Sequence, residues 1–205
     1  NSLDKSLEEL VPHNKDIFIS DHLIFDDYLV LEIRENGLPG IQKINLLSKN
    51  ATSLTFNEES YYVSLGYNYD VNNKELFYGY SSPTQPYSIY SQNLLSDETT
   101  MLWNKEIINY DPEIYTTKRK FIEARDGTLI PVTITHLKNI DLKNSPILFY
   151  GYGSYGINTE AYFRSSIVPL LNRNFIHVLV NIRGGGEMGK YWYEQGRMLN
   201  KLNTF

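Results

Sequence analysis

The apolar positions of residues 1 to about 110 fall into short β-prone runs, each closed by turn-forming residues. Tyr28-Leu29-Val30-Leu31-Glu32-Ile33 is such a run, Glu35-Asn36-Gly37 is a turn signal, and Ile41-Gln42-Lys43-Ile44-Asn45-Leu46 starts the return strand. A second copy follows. Leu76-Phe77-Tyr78-Gly79-Tyr80 runs into a Ser- and Pro-rich turn at Ser81 to Pro86, and Tyr87-Ser88-Ile89-Tyr90 resumes. The tetrapeptide Asn45-Leu46-Leu47-Ser48 recurs as Asn93-Leu94-Leu95-Ser96, and Ile41 and Leu54 match Ile89 and Leu102 at the same offset of 48. A period of about 50 residues is one four-stranded propeller blade, which buries its faces on its neighbours. Residues 1–111 are therefore expected to form about two blades of an all-β propeller. A small antiparallel meander with a chance four-residue match is the plainer alternative.

Near Tyr110-Asp111-Pro112 the pattern changes. Lys120-Phe121-Ile122-Glu123-Ala124 and Leu129-Ile130-Pro131-Val132-Thr133-Ile134-Thr135 flank Arg125-Asp126-Gly127, whose Asp-Gly pair signals a hairpin. Pro146-Ile147-Leu148-Phe149-Tyr150 reads as a buried strand, Ser166 to Asn172 as a helix, and Phe175 to Ile182 as a further buried strand. A hairpin followed by strand, helix and strand is how an α/β-hydrolase domain begins, so residues 112–205 are expected to be its N-terminal part. Pro169 fits such a helix in the first turn, where its missing N–H has no partner to lose.

Apolar runs such as Val178-Leu179-Val180 fall far short of the ~18 residues of a membrane span. Residues 1–10 form an acidic, helix-leaning segment without the basic and apolar regions of a secretory signal, and without an initiator Met. Both ends read as cut, the last one within a continuing helix. A hydrophobic content of 41% supports a packed core, while a net charge of −5 without a cluster of Lys and Arg argues against nucleic acid or an anionic membrane as partner. The chain has no cysteine, which removes disulfides and thiolate metal sites and fits a reducing, cytoplasmic setting. No His pair stands at metal-ligand spacing, so no metal is expected.

Two glycine-rich runs end the buried strands, where an α/β enzyme places its active-site loops: Gly151-Tyr152-Gly153-Ser154-Tyr155-Gly156 and Arg183-Gly184-Gly185-Gly186-Glu187-Met188-Gly189. The first satisfies G-x-G-x-x-G, yet the acidic residue that a dinucleotide site needs about 20 positions on is replaced by Asn181 and Arg183, and Tyr152 and Tyr155 crowd any pyrophosphate. Ser154 lacks the first glycine of a G-x-S-x-G elbow, because position 152 is Tyr, and reads as a loop hydroxyl serving local backbone groups. Gly151, Gly153, Gly184, Gly185 and Gly186 are expected to serve as structural turns, with Arg183 and Glu187 pairing inside the fold. Acyl transfer needs fixed donors for the developing oxyanion, and in α/β-hydrolases one comes from the loop that Gly151 to Gly156 would form.

The order of these residues resembles the prolyl oligopeptidase family of serine peptidases, and within it the oligopeptidase B branch. The resemblance covers Asp27 to Glu32, Gly37-Leu38 and Tyr78 to Ser82. It is strongest from Ser145 onward, where the Tyr-Gly-Tyr-Gly run and Arg183 to Gly189, with Trp192, Gly196, Lys201 and Asn203-Thr204-Phe205, follow the family order. It implies a propeller that restricts entry to short peptides, cleavage after Arg or Lys through an acyl-enzyme, and no cofactor. It implies that the Tyr152 hydroxyl serves the oxyanion and that Tyr155 and Glu160 bind substrate. The family carries two acidic residues two apart after the glycine loop; Glu160 fits the first position and Tyr162 fills the second, a departure from a dibasic site. The triad runs Ser, Asp, His along this fold, so His13, His22, His136 and His177 all precede the nucleophile, and His177 reads as a hydrogen-bonded core residue. The chain is read as a fragment ending before the catalytic serine, inactive alone, with the rest of the catalytic domain as its natural partner. A related hydrolase of esters or acyl-peptides, and a non-enzymatic remnant that keeps only protein contacts, are the alternatives.

Overall fold

A computed structural model describes residues 9–205, so the helix-leaning reading of the N-terminus falls almost wholly outside the described residues. Strands β1 (Ile17–Ile24), β2 (Tyr28–Glu35), β3 (Leu38–Asn45) and β4 (Ala51–Ser53) form an antiparallel sheet in that order. Strands β5 (Tyr62–Leu65), β6 (Glu75–Ser81), β7 (Ser88–Asn93) and β8 (Thr99–Asn104) repeat the arrangement. Each is a four-stranded meander with the shape of a propeller blade.

The repeated tetrapeptide is one turn used twice. Asn45 ends β3 and its Oδ1 accepts from the N–H groups of Leu47 and Ser48 at 3.0 and 2.8 Å; Asn93 ends β7 and accepts from Leu95 and Ser96 at 3.0 and 3.1 Å. Four residues after each Asn the chain enters the left-handed region, at Lys49 (φ 61°) and Asp97 (φ 63°). Leu46 N–H bonds back to Asp27 O, as Leu94 N–H does to Lys74 O. A side-chain acceptor mimicking a backbone turn is what Asn supplies at such positions.

The period of two along β2 and β3 sends alternate residues to opposite faces. Val30 and Ile41 join Phe25, Val63, Leu76, Tyr78, Tyr80 and Leu94 in the core between the blades. Leu29, Leu31, Ile33 and Ile44 cluster on the other face, above an open cavity of about 610 Å³. Polar groups also cross between blades. Glu32 accepts from Leu65 N–H at 2.9 Å, and the buried Lys43 ammonium donates to Leu94 O at 2.8 Å while pairing with Asp97.

A 3-10 turn at Pro112–Ile114, capped by Asp111, leads into β9 (Tyr115–Glu123), and the Asp126-Gly127 turn returns the chain as β10 (Leu129–Leu137). Then come β11 (Ile147–Tyr150), helix α1 (Val168–Leu171), β12 (Ile176–Val180) and helix α2 (Lys190–Glu194). This third sheet has the order β11-β12-β10-β9, with β11 and β12 parallel and the other pairs antiparallel. Val132, Ile176 and Val178 form its core.

Two helical expectations are corrected. The helix expected over Ser166 to Asn172 shrinks to four residues, because Ile167 offers no side-chain cap and Asn174 turns left-handed at φ 63° just beyond it; Pro169 does sit in the first turn. The helix expected at the last residues is a 3-10 segment, Met198–Thr204, with the Asn203 carbonyl accepting from Arg183 Nε at 2.9 Å.

The turn between β2 and β3 presses on the third sheet, with Arg119 of β9 donating to Asn36 O. Arg34 pairs with Glu160, Ser60 and Thr133 share a hydroxyl bond of 2.7 Å, Glu59 accepts from Arg119 N–H at 2.9 Å, and Ser81 accepts from Phe163 N–H at 3.0 Å. The outer faces remain bare. β8 is exposed along its whole length, and Ile122, Phe149 and Phe205 edge an apolar cavity of about 330 Å³ on the third sheet. Uncovered apolar faces and unpaired strand edges drive association. The 205-residue chain alone is expected to self-associate when measured by sedimentation and to unfold without one sharp transition; a soluble monomer with a single cooperative melt would refute this.

Candidate functional site

Parallel neighbours β11 and β12 deliver their C-terminal loops side by side, and glycine lets those loops touch backbone to backbone. Gly156 N–H donates to Gly184 O at 3.0 Å. Gly184 has φ 97°, and a Cβ there would fall inside the radius of Gly153 O while meeting Gly196 O at 2.9 Å. Gly153 has φ 57°, and its Cβ would meet Arg183 O and Thr204 Cγ2, each at 2.8 Å. No L side chain fits either place.

The 3-10 segment and Arg183 hold this contact. Lys201 Nζ donates to Gly153 O at 2.7 Å and to Ser154 Oγ at 2.8 Å, so Ser154 is bound by an ammonium rather than by local backbone as the sequence suggests. Thr204 Oγ1 donates to Arg183 O at 3.0 Å. The Arg183 side chain donates to Asn203 O at 2.9 Å and to Thr128 Oγ1 at 3.2 Å, and pairs with Asp126. The hydrogen bonds from Arg183 and Thr128 hold the Asp126 carboxyl down at about 2.

Arg183 and Glu187 therefore do not pair, which corrects the expectation drawn from their spacing: Arg183 points to the β9–β10 turn and Glu187 inward. Glu187 is 1% exposed, with Oε1 accepting from Thr159 N–H at 2.8 Å and from Asn181 Nδ2 at 3.2 Å. Burial pushes its carboxyl up. His177 is buried on β12, yet its ring makes no hydrogen bond among the described residues, another correction; burial, with Arg164 nearby, lowers its basicity.

Tyr152 is 44% exposed on this frame, and its hydroxyl is unengaged among the described residues. Tyr155, at φ 60°, is more exposed still. Glu160 lies elsewhere. Its carboxylate is taken by Arg34 of β2, and that arginine is 8% exposed. Tyr162 packs edge-on to Tyr62, with the Arg164 guanidinium 4.8 Å from its ring centre. Among the described residues no cluster of His, Asp and Glu is arranged to hold a metal. Lys201 and Thr204, signalled only by the residue order near the end of the sequence, prove to be the loop's supports; nothing local signalled Thr159.

Residues 1–105 match the family described as prolyl oligopeptidase, N-terminal beta-propeller domain. The chain belongs to the prolyl oligopeptidase family. Residues 161–205 match the description of the family itself, covering the start of its peptidase domain. The chain is 34% identical over 203 residues to Dipeptidyl aminopeptidase BI of Pseudoxanthomonas mexicana, which takes in 98% of this chain and 28% of that protein. It is 30% identical over 198 residues to Protease 2 of Moraxella lacunata, taking in 96% of this chain and 28% of the relative. The structure of oligopeptidase B from Trypanosoma brucei with covalently bound antipain superposes with a TM-score of 0.87 at 33% identity, over 96% of this chain and 29% of that one. Oligopeptidase B from Leishmania major gives 0.86 at 28% identity with the same coverage. The chain thus spans under a third of the length of these relatives.

A paired substitution separates close approach from conformation alone. Gly127 also has positive φ, at 82°, but the nearest neighbour of a Cβ there is Glu123 Oε1 at 3.8 Å. Gly127→Ala is expected to cost about 1 kcal/mol, and Gly184→Ala more than about 3 kcal/mol because overlap adds to strain. Denaturant midpoints of the two variants, measured side by side in the complete peptidase, check the order, and equal costs would remove the overlap argument.

Proposed function

We propose that this chain is the propeller-to-catalytic-domain segment of a serine oligopeptidase that cleaves short peptides, with the two parts dividing near residue 111 and Tyr152 supplying a donor to the oxyanion. The observation that carries the reading is a phenol left free on a loop whose backbone is fixed by glycine contact and by Lys201. A preorganised donor that strengthens as charge develops lowers the barrier without tightening substrate binding. Tyr155 beside it offers an exposed ring to a substrate side chain. A cysteine-free chain suits a reducing compartment, and the cytoplasm is the setting we assign.

Cleavage after Arg or Lys is the preference that the oligopeptidase B resemblance implies, and Glu160 gives it little support. Its carboxylate already has a buried cation, and removing one member of a buried pair costs about 3–5 kcal/mol. The relative at 34% identity is named a dipeptidyl aminopeptidase, which favours release of dipeptides from a free N-terminus as a second reading. Arg-terminated chromogenic amides with blocked and free amino groups distinguish the two: turnover of blocked substrates supports the endopeptidase, and a requirement for the free amine supports the dipeptidyl peptidase.

In the complete peptidase, Tyr152→Phe is expected to lower kcat by roughly 10²-fold with little change in KM. Steady-state kinetics check it; an unchanged kcat returns Tyr152 to packing. The 205 residues contain no G-x-S-x-G serine, so the purified chain alone is expected to give no turnover above background. Activity abolished by a serine-directed inhibitor would overturn that expectation.

A further inference from the structure

Glu187 is a buried carboxyl that no cation balances among the described residues. Its Oε1 accepts from Thr159 N–H and from Asn181 Nδ2, and the same Asn181 amide donates to Thr159 O at 2.9 Å. Oε2 is buried without a hydrogen-bond partner and lies over Gly185, where any Cβ would overlap it. An isolated carboxylate in such a place is expensive, so the neutral acid is favoured. The direction of its shift agrees: burial raises its pKa more than its hydrogen bonds lower it, and Glu160 adds to the rise.

Through these bonds one side chain ties two segments that the sheet does not join. Glu187 sits at the end of the Gly184-Gly185-Gly186 run and grips Thr159, three residues past the first glycine loop. The same two segments meet again where Gly156 N–H bonds to Gly184 O at 3.0 Å and where Gly186 lies against Gly156 O. Asn181, fixed by Trp192 Nε1–H donating to its carbonyl at 3.1 Å, closes the ring of contacts at the end of β12.

We propose that Glu187 is a positioning residue for acyl transfer, locking the Thr159 segment to the Arg183–Gly189 loop and so fixing the glycine loop that carries Tyr152. It rests on the oxyanion reading given above. A buried carboxyl that accepts through one oxygen and has no cation beside it among the described residues is matched in shape by uncharged glutamine, so Gln is the conservative replacement, whereas Asp shortens the reach and Ala abolishes it.

In the complete peptidase, Glu187→Gln is expected to keep kcat within about threefold, and Glu187→Ala to lower kcat by about tenfold or more with KM little changed. Combined with Tyr152→Phe, Glu187→Ala is expected to cost less than about threefold further, since both changes disable one device. Circular dichroism and thermal melts establish that each variant is folded. If Glu187→Ala fails to fold, Glu187→Asp takes its place, with the same kcat loss expected. A folded Glu187→Gln as impaired as Ala, a change confined to KM, or a loss that adds in full to that of Tyr152→Phe overturns the proposal alone. An unchanged kcat in Tyr152→Phe by itself overturns the oxyanion reading and the proposal with it.

Discussion

The contact on which the site depends is the approach of Gly184 to Gly153, backbone against backbone. Parallel pairing of β11 and β12 aligns the ends of two strands, but strands about 4.8 Å apart bring their loops together only if neither loop carries side chains at the crossing. Gly153 and Gly184 meet that condition, and Gly196 meets it a second time against Gly184 N. Once the backbones touch, the first loop has few ways to move. Lys201 takes its carbonyl at Gly153, and Thr204 takes the carbonyl of Arg183. Tyr152 therefore presents an unengaged hydroxyl from a fixed base, which is what the proposed oxyanion donor requires.

Elements governed by local periodicity were legible in the sequence. The runs at Tyr28, Ile41, Leu76 and Tyr87 are strands, and the Asn-Leu-Leu-Ser repeat marks equivalent turns because Asn45 and Asn93 make the same local bonds. The Asp126-Gly127 hairpin and the strands leading to the glycine loops followed from turn chemistry and apolar runs, but β11, expected to be buried, is exposed at Ile147, Phe149 and Tyr150 because it is the edge strand of the third sheet. Strand β1 carries no apolar alternation to read because it is largely exposed and, among the described residues, pairs only with β2. The partners of charged groups were not legible for a different reason. Arg183 and Glu187 are four apart, a spacing that favours pairing on a helix, but they lie in a loop where that geometry does not hold. Their actual partners, Asp126 and Thr159, are distant in sequence.

The same limit applied to Glu160, and its consequence reaches specificity. Arg34 comes from a propeller strand 126 positions away and spends its second contact on Gly37 O at 3.2 Å, which fixes the β2–β3 turn against the catalytic part. Arg119 lies beside the same turn with a carbonyl rather than a carboxylate as its nearest acceptor, and burial together with Arg34 pushes its basicity down to about 10. At neutral pH it is still a cation. Glu160 is the carboxylate that pairs with the buried Arg34 at this junction. A basic substrate side chain would have to displace Arg34, leaving that arginine buried and unbalanced. Electrostatics at the junction therefore favour Glu160 as a structural ion over Glu160 as a substrate ligand, and Tyr162, already packed between Tyr62 and Arg164, adds no second charge. Selection by charge through Glu160 would have to compete with Arg34, whereas Tyr152 and Tyr155 leave aromatic surface and a hydroxyl exposed on the glycine loop.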